Sequence, residues 1–573
     1  MSNVDKISLI GVVGLGEIGE ALASVLSLAG YRVIGVDTDL AAVKRNGSRL
    51  VDRAAEAPGT VTLSTDIEAM ERADLVIEAV PEQRDTKIAV LCQAAALTRP
   101  TTLLATTSTA LPLTTLAVAS GRPDRMFGLR CAIPPTGGGG IELVRTAMNS
   151  AVACSSMNTL ITVLGGHTSS VSTKAAAVAR ELVHDSLNLA VDLHDLGYAP
   201  REDIDTAMRL GCGLPMGPFE LLDHLGLDHV LDTVSKPRRR PLSATRVPAA
   251  SLERQVREGR LGRKSGQGFH TYGDTGARIP TPLIGPGDSS SRTVQRVGVI
   301  GSGTMARGIA QVAASAGCPT SLVARTQEKA DRAAEAIGQS MLRTVRRGKM
   351  TPQQRETALS ALHFTDRMSG VSDCDLVIEA AIEDFEVKQG LFRKMDLACK
   401  PGTILATTTS SLSVKAFAEA TQRPADVIGL HFFHPAPVMK LVEVVRTEVT
   451  ADAVADTALA FCRSLGKTAV TCPDRVGFIV NFLLFPYLNA AVGALERGEV
   501  SVEELDAAAV RGFGYPMGPF ALLDAIGLDV SLAIQRSLFQ EFGKPHFTPA
   551  PLLEEMVAIG RNGRKTGAGF YEH

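Results

Sequence analysis

Two glycine-rich turns carry the spacing of a dinucleotide-binding loop. Gly14, Gly16 and Gly19 follow an apolar run and open an amphipathic segment, and Asp37 closes the next apolar run. Glycines at these places permit a tight turn and let a pyrophosphate approach a helix N-terminus, where free N–H groups and the helix dipole favour negative charge. A carboxylate ending the second strand is placed for the ribose hydroxyls of NAD. Gly301, Gly303 and Ala306 repeat the turn, with Ala a tolerated variant in the third place. Asp37 lies 23 residues after Gly14, and the same count from Gly301 reaches Ala324, followed by Arg325. Losing the carboxylate and gaining a guanidinium is how such folds accommodate a 2′-phosphate. The first turn is therefore of the NAD type and the second leans to NADP, with NAD bound without the ribose contact as the alternative.

These turns sit in a chain made of two copies of one unit. ADLVIEAVPE at 73–82 recurs as CDLVIEAAIE at 374–383, LPMGPFELLD at 214–223 as YPMGPFALLD at 515–524, and RKSGQGF at 263–269 as RKTGAGF at 564–570, each pair 301 positions apart. A constant offset over so long a stretch means no net insertion there. The glycine turns are 287 apart (14 to 301), so the second copy has 14 extra residues between its first strands and the DLVIEA segment. In each copy, strand, glycine turn, helix and strand form a βαβ unit, later buried parallel strands follow, and the pattern then becomes helical. The expected fold class is α/β: two Rossmann-type doubly wound parallel sheets, each followed by an all-helical domain. The expected boundaries are 1–175 and 176–273 for the first copy, 274–293 for a linker rich in Pro, Gly and Ser, and 294–475 and 476–573 for the second copy. The run KPRRRP at 236–241 reads as an exposed loop, with a phosphate site as the alternative.

Composition removes several function classes. The 573 residues balance to a formal net charge of -2, which offers no nucleic-acid footprint. Nine cysteines are scattered without CxxC pairs or metal-ligand spacing, so neither a disulfide framework nor a metal site is expected, and a reducing cytosol is. The N-terminus lacks the order of a signal peptide, which points to the cytoplasm. Val476–Leu495 is free of charge over twenty residues, but it contains Asn481, Pro486 and Asn489, so a buried helix at an internal interface is expected rather than a membrane span.

ATTTSSL (406–412), IGLHFFHPAPVMKLVEVV (428–445) and DRVGFIVN (474–481) strongly resemble the 3-hydroxyacyl-CoA dehydrogenase family, whose pattern is SNTSS, GxHFFNPxxxMxLVE, GFIVNR and a closing GKKTGxGFY. The likeness runs from Val294 to His573. It implies oxidation of a (3S)-3-hydroxyacyl-CoA to the 3-oxoacyl-CoA, or the reverse, with a nicotinamide cofactor. It makes His431 the catalytic base, Glu443 its orienting partner, and Ser410 and Asn481 the groups that hold substrate. A histidine tuned near neutrality suits removal of a hydroxyl proton while hydride leaves the same carbon. The resemblance also carries cofactor contacts to Glu383, Lys388, Ser410, His434 and Lys565, and CoA contacts to Ser340 and Arg347. The latter lie in the inserted hairpin beside Arg343, Arg346 and Lys349. An acyl-carrier-protein thioester or a free hydroxy acid as substrate, or a nucleotide-binding scaffold, are the alternatives. Family relatives pair through their helical domains, which implies an internal pseudo-dimer here, with further homo-oligomerisation open.

Three positions depart from the family pattern: His434 and Thr408 stand where it has Asn, and Phe482 where it has Arg. The first copy departs much further. Subtracting 301 puts Arg130 at the place of His431, Thr109 at Ser410, Arg180 at Asn481 and Glu142 at Glu443, and four consecutive glycines end RCAIPPTGGGG. Arginine stays protonated and cannot act as the base. The first copy is expected to be architectural, binding a dinucleotide without reacting it.

Overall fold

The computed structural model describes residues 7–40, 43, 58–108, 111, 113–131, 141–146, 148–168, 173–236, 247–273, 278–280 and 291–573. Thr109, the glycine run 137–140 and all of KPRRRP except Lys236 lie outside these residues.

Each copy contains an eight-stranded sheet. In the first copy the strands are β1 (Leu9–Val13), β2 (Arg32–Val36), β3 (Thr60–Ser64), β4 (Leu75–Glu78), β5 (Leu103–Thr106), β6 (Met126–Cys131), β7 (Ile141–Val144) and β8 (His167–Thr168), in the order β3-β2-β1-β4-β5-β6-β7-β8. A short hairpin of β9 (Thr271–Tyr272) and β10 (Arg278–Ile279) follows. The second copy repeats the first with β11 (Val297–Ile300), β12 (Thr320–Val323), β13 (Leu362–Thr365), β14 (Leu376–Glu379), β15 (Ile404–Thr407), β16 (Val427–Phe432), β17 (Leu441–Arg446) and β18 (Thr468–Pro473), in the equivalent order. Every residue of β4, β5, β14 and β15 is buried. Such strands read as apolar runs without alternation because helices cover both faces of the sheet.

The sheets are parallel through six strands, and the last two run the other way: β16 pairs with β17, and β6 with β7, antiparallel. The segment 433–440 that joins β16 to β17 is shorter than the dozen or more residues a parallel crossover needs, so a hairpin is the only connection open to it. That hairpin sets His431 directly opposite Glu443 in the register.

Helices cover the sheets and dominate the C-terminal part of each copy. Val480–Glu496 is buried along most of its length and packs against Thr173–Asp195 of the first copy. No helix among the described residues is long and apolar enough to cross a membrane. Arg201–Cys212 of the first copy lies on β17 and β18, while Val502–Phe513 of the second lies against Thr173–Asp195 and β6. Helical segments of both copies share a single apolar core, so each copy's helices also close the other's sheet. At the seam the Tyr198 hydroxyl donates to the Pro473 carbonyl at 3.1 Å, and Arg475 lies 5.6 Å over the Tyr198 ring.

The described ends of the linker are tied down. Arg278 in β10 pairs with Glu220 at 3.2 Å, and the Arg292 N–H donates to Thr457 Oγ1 at 2.9 Å.

Candidate active site

His431 on β16 and Glu443 on β17 face each other inside the sheet, 5% and 0% exposed. His431 Nδ1 lies 2.7 Å from Glu443 Oε2. Glu443 Oε1 accepts the backbone N–H groups of Ile479 at 3.1 Å and Val480 at 2.9 Å. Those donors exist because the helix Val480–Glu496 begins there, and the first N–H groups of a helix have no carbonyl within it. A carboxylate has no proton to give, so Nδ1 is the donor and Nε2 keeps its lone pair. Nε2 meets Ser410 Oγ at 3.0 Å, in the loop after β15. The imidazole is walled by Phe433 and Phe478, with ring centroids 4.7 and 5.4 Å away.

Phe478 is the one non-glycine residue with positive φ (46°) among the described residues. Left-handed backbone at a bulky residue costs about 1–3 kcal/mol and persists only where its surroundings enforce it. Here it turns the chain so that one short segment supplies the Phe478 ring and both N–H donors to Glu443. Asn481 follows in the first helical turn, 8% exposed.

A second layer holds the Ser410 loop. Glu383 Oε1 accepts from Thr409 Oγ1 at 2.6 Å and from the Ser410 and Ser411 N–H groups at 2.8 and 3.2 Å. Burial alone would raise the Glu383 carboxyl, but the Lys388 ammonium and these donors outweigh it and hold it below the usual carboxylate range. Lys388 is fully buried, its ammonium 2.9 Å from Glu379 Oε2 and 3.4 Å from Glu383 Oε2. The geometry makes Lys388 a brace beneath Glu383. Glu379 escaped the sequence reading, as did the same brace in the first copy, where Lys87 lies 2.8 Å from Glu78 and 3.4 Å from Glu82. The 301-residue offset, applied to Lys388 and Glu383, lands on Lys87 and Glu82 and would have found it.

The glycine turn suits a dinucleotide. Gly303 caps the helix Thr304–Ser315, and a Cβ there would meet nothing within 4 Å, so the helix N-terminus has open space before it. In the first copy a Cβ on Gly19 would lie 1.8 Å from the Gly14 carbonyl oxygen. The second copy tolerates Ala306 at that place because its turn is opened, with Gly301 at φ 133° against 91° for Gly14. Ala324 is the structural counterpart of Asp37: their N–H groups donate to the last residues of β13 and β3, Thr365 and Ser64. Asp37 Oδ2 accepts the Leu15 N–H of its own glycine turn at 2.7 Å, and Arg325 is exposed beside the corresponding turn.

The remaining candidates lie further out. His434 is exposed in the loop leaving β16. Ser340 is half-buried on the helix Gln327–Arg346, and Arg347 at its end is exposed with Arg343, Arg346 and Lys349. Lys565 is engaged within the helical region by Asp529, as Lys264 is by Asp228 in the first copy. Among the described residues, no hydrogen bond or ion pair joins Lys565 to the Ser410–His431–Glu443 chain. Phe482 is buried against Phe542 and Phe547, and Arg475 lies 5.4 Å over its ring, so a guanidinium still occupies this region from a neighbouring position.

The first copy keeps the frame and lacks the dyad. Arg130 faces Glu142 across β6 and β7, its Nη1 3.5 Å from Oε2. The helix that starts at Val480 in the second copy has its counterpart starting at Thr173, so the residues matching Ile479 and Val480 lie inside the helix and their N–H groups are spent there. Glu142 instead takes a second guanidinium, Arg511 of the other copy's helical region, at 3.4 Å.

Comparison with known proteins agrees with this architecture. The NAD binding domain of 3-hydroxyacyl-CoA dehydrogenase matches residues 9–174 and 296–475, and its C-terminal domain matches 178–272 and 477–573. The chain is similar to 3-hydroxybutyryl-CoA dehydrogenase of Mycobacterium tuberculosis, 44% identical over 285 residues that cover 49% of this chain and 100% of that one. It is also similar to the mitochondrial hydroxyacyl-coenzyme A dehydrogenase of Sus scrofa, 43% identical over 288 residues, 49% of this chain and 91% of that one. The crystal structure of 3-hydroxybutyryl-CoA dehydrogenase from Escherichia coli K12 shares the fold at a TM-score of 0.55 and 21% identity, over 97% of this chain and 99% of that one. With both family domains matched twice and almost from end to end, the chain belongs to the 3-hydroxyacyl-CoA dehydrogenase family.

Proposed function

We propose that the second copy interconverts (3S)-3-hydroxyacyl-CoA and 3-oxoacyl-CoA, with His431 as general base. The observation that carries this reading is the chain from Ser410 through His431 to Glu443, which leaves Nε2 with a lone pair at the mouth of the loop. A bound nicotinamide supplies the hydride acceptor. His431 Nε2 takes the hydroxyl proton, Glu443 stabilises the resulting imidazolium, and Ser410 and Asn481 orient the oxygen that becomes the carbonyl. The exposed cluster of Arg343, Arg346, Arg347 and Lys349 supports CoA as the carrier, because a phosphorylated adenosine is complementary to it. The first copy, with Arg130 and Arg180 in place of His431 and Asn481, binds a dinucleotide at Gly14, Gly16, Gly19 and Asp37 without reacting it.

The test is the initial rate of reduction of acetoacetyl-CoA beside free acetoacetate and acetoacetyl carrier protein. Turnover of the CoA thioester with little activity on the free acid is expected. Comparable kcat/KM on free acetoacetate would overturn the substrate assignment.

Cofactor choice rests on Ala324 and Arg325. An exposed guanidinium at the end of β12, with no carboxylate in Asp37's place, favours a 2′-phosphate. The double variant Ala324→Asp, Arg325→Ala is expected to move the NADPH/NADH ratio of kcat/KM towards NADH by roughly ten- to a hundredfold, the worth of one charge-assisted contact. A native preference for NADH as strong as the variant's would show that these residues do not set selectivity.

A further inference from the structure

In the first copy, Arg180 occupies the helix position that Asn481 holds beside the catalytic dyad, and its Nε and Nη1 are buried without a hydrogen-bond partner. A guanidinium does not escape this by losing its proton, and each unpaired buried donor is costly. Asparagine at the same place in the second copy is neutral, so the demand for a negatively charged acceptor is particular to the first copy. Arg130, at the place of His431, lies within electrostatic reach of Arg180 and adds positive charge.

We propose that the vestigial site of the first copy is a binding site for a small carboxylate, accepted by Arg180 at the place that corresponds to the substrate oxygen in the second copy. The inference rests on the reading that this copy does no chemistry, and it names what the copy recognises instead. Burial pushes the Arg180 guanidinium towards its neutral form, and Glu82 and Glu181 oppose that shift. These carboxylates offset charge, yet they leave Nε and Nη1 unpaired. They also select among anions, since a monoanion suffers less repulsion from Glu82 and Glu181 than a dianion such as phosphate. One supporting pair is kept among the described residues: Lys87 lies 3.4 Å from Glu82, matching Lys388 and Glu383. A bulky thioester is disfavoured, because this copy is 14 residues shorter (59 against 73 from the glycine turn to the DLVIEA segment) across the stretch that forms the inserted hairpin in the other.

The site is also wired to the catalytic copy. Arg130 is held by Glu142, and Glu142 is held in turn by Arg511 from the second copy's helix Val502–Phe513.

The test uses the full-length chain, titrated calorimetrically with acetoacetate and separately with inorganic phosphate. Saturable binding of acetoacetate is expected in the wild type and in His431→Ala. It should weaken by about ten- to a hundredfold in Arg180→Asn, which carries the residue the second copy has at this place, and in the length-preserving Arg180→Met. Circular dichroism of both variants establishes that they fold. Acetoacetate binding that is absent, or unchanged in a folded Arg180 variant, would overturn the proposal, and tighter binding of phosphate would overturn the carboxylate assignment. Turnover of acetoacetyl-CoA by His431→Ala near the wild-type rate would instead overturn the non-catalytic reading on which the proposal rests. An inactive His431→Ala that binds no carboxylate would leave that reading standing and sink this proposal alone.

Discussion

Removal of residues 1–290 is expected to leave a fragment that associates with itself through the face it loses. The helix Val480–Glu496 packs along Thr173–Asp195, and Val502–Phe513 packs on the same partner. Leu187, Met208 and Leu221 of the first copy close on Leu484, Tyr487 and Leu522 of the second around one apolar cavity. Deletion would uncover that face, and monomeric proteins rarely expose contiguous apolar patches beyond about a few hundred Å². The two copies meet through matching elements, LPMGPFELL and YPMGPFALL among them, so a second copy of the fragment offers nearly the surface that was lost. Arg201–Cys212 also leaves β17 and β18, the strand of Glu443 and its neighbour, so activity should fall with the fragment's stability. Size-exclusion chromatography with light scattering should return a dimer or larger species. A well-behaved, fully active monomer of residues 291–573 would mean that the first copy is dispensable to the fold.

The two glycine turns and the fold class were legible because each depends on local spacing, and the repeat because several segments recur at one offset. So was the pairing of His431 with Glu443, through the motif that surrounds them. The reversal of the strand carrying Glu443 was legible in principle from the short segment 433–440, since chain length alone forbids a parallel crossover there. Other features were hidden for physical reasons. The donors to Glu443 are backbone groups whose availability depends on whether a helix starts at 480 or six residues earlier in register, and no side chain announces that. Lys388 reads as a cofactor contact in the motif, and its burial between Glu379 and Glu383 is a pairing that no spacing announces. The docking of Arg278 and Arg292, within a segment whose composition reads as linker, depends on partners far along the chain. Arg511 reaching Glu142 joins residues in different copies, a contact that no local pattern encodes.

Catalysis is assigned to one base in one copy, and the rate of acetoacetyl-CoA reduction by His431→Ala tests that assignment most directly. General base and acid catalysis by a positioned histidine contributes about 10²–10⁴-fold, or roughly 3–5 kcal/mol of barrier. The variant should lose turnover by that factor. The fold should survive, because Glu443 keeps the Ile479 and Val480 N–H groups and the sheet register does not depend on the imidazole. Dinucleotide binding should survive as well, since the turn of Gly301, Gly303 and Ala306 precedes a different helix. The expected result is a folded, dinucleotide-binding protein whose kcat is lower by about two to four orders of magnitude with KM little changed. A His431→Ala protein with near-normal kcat would contradict the account, because the chemistry would then belong to another residue or to the other copy.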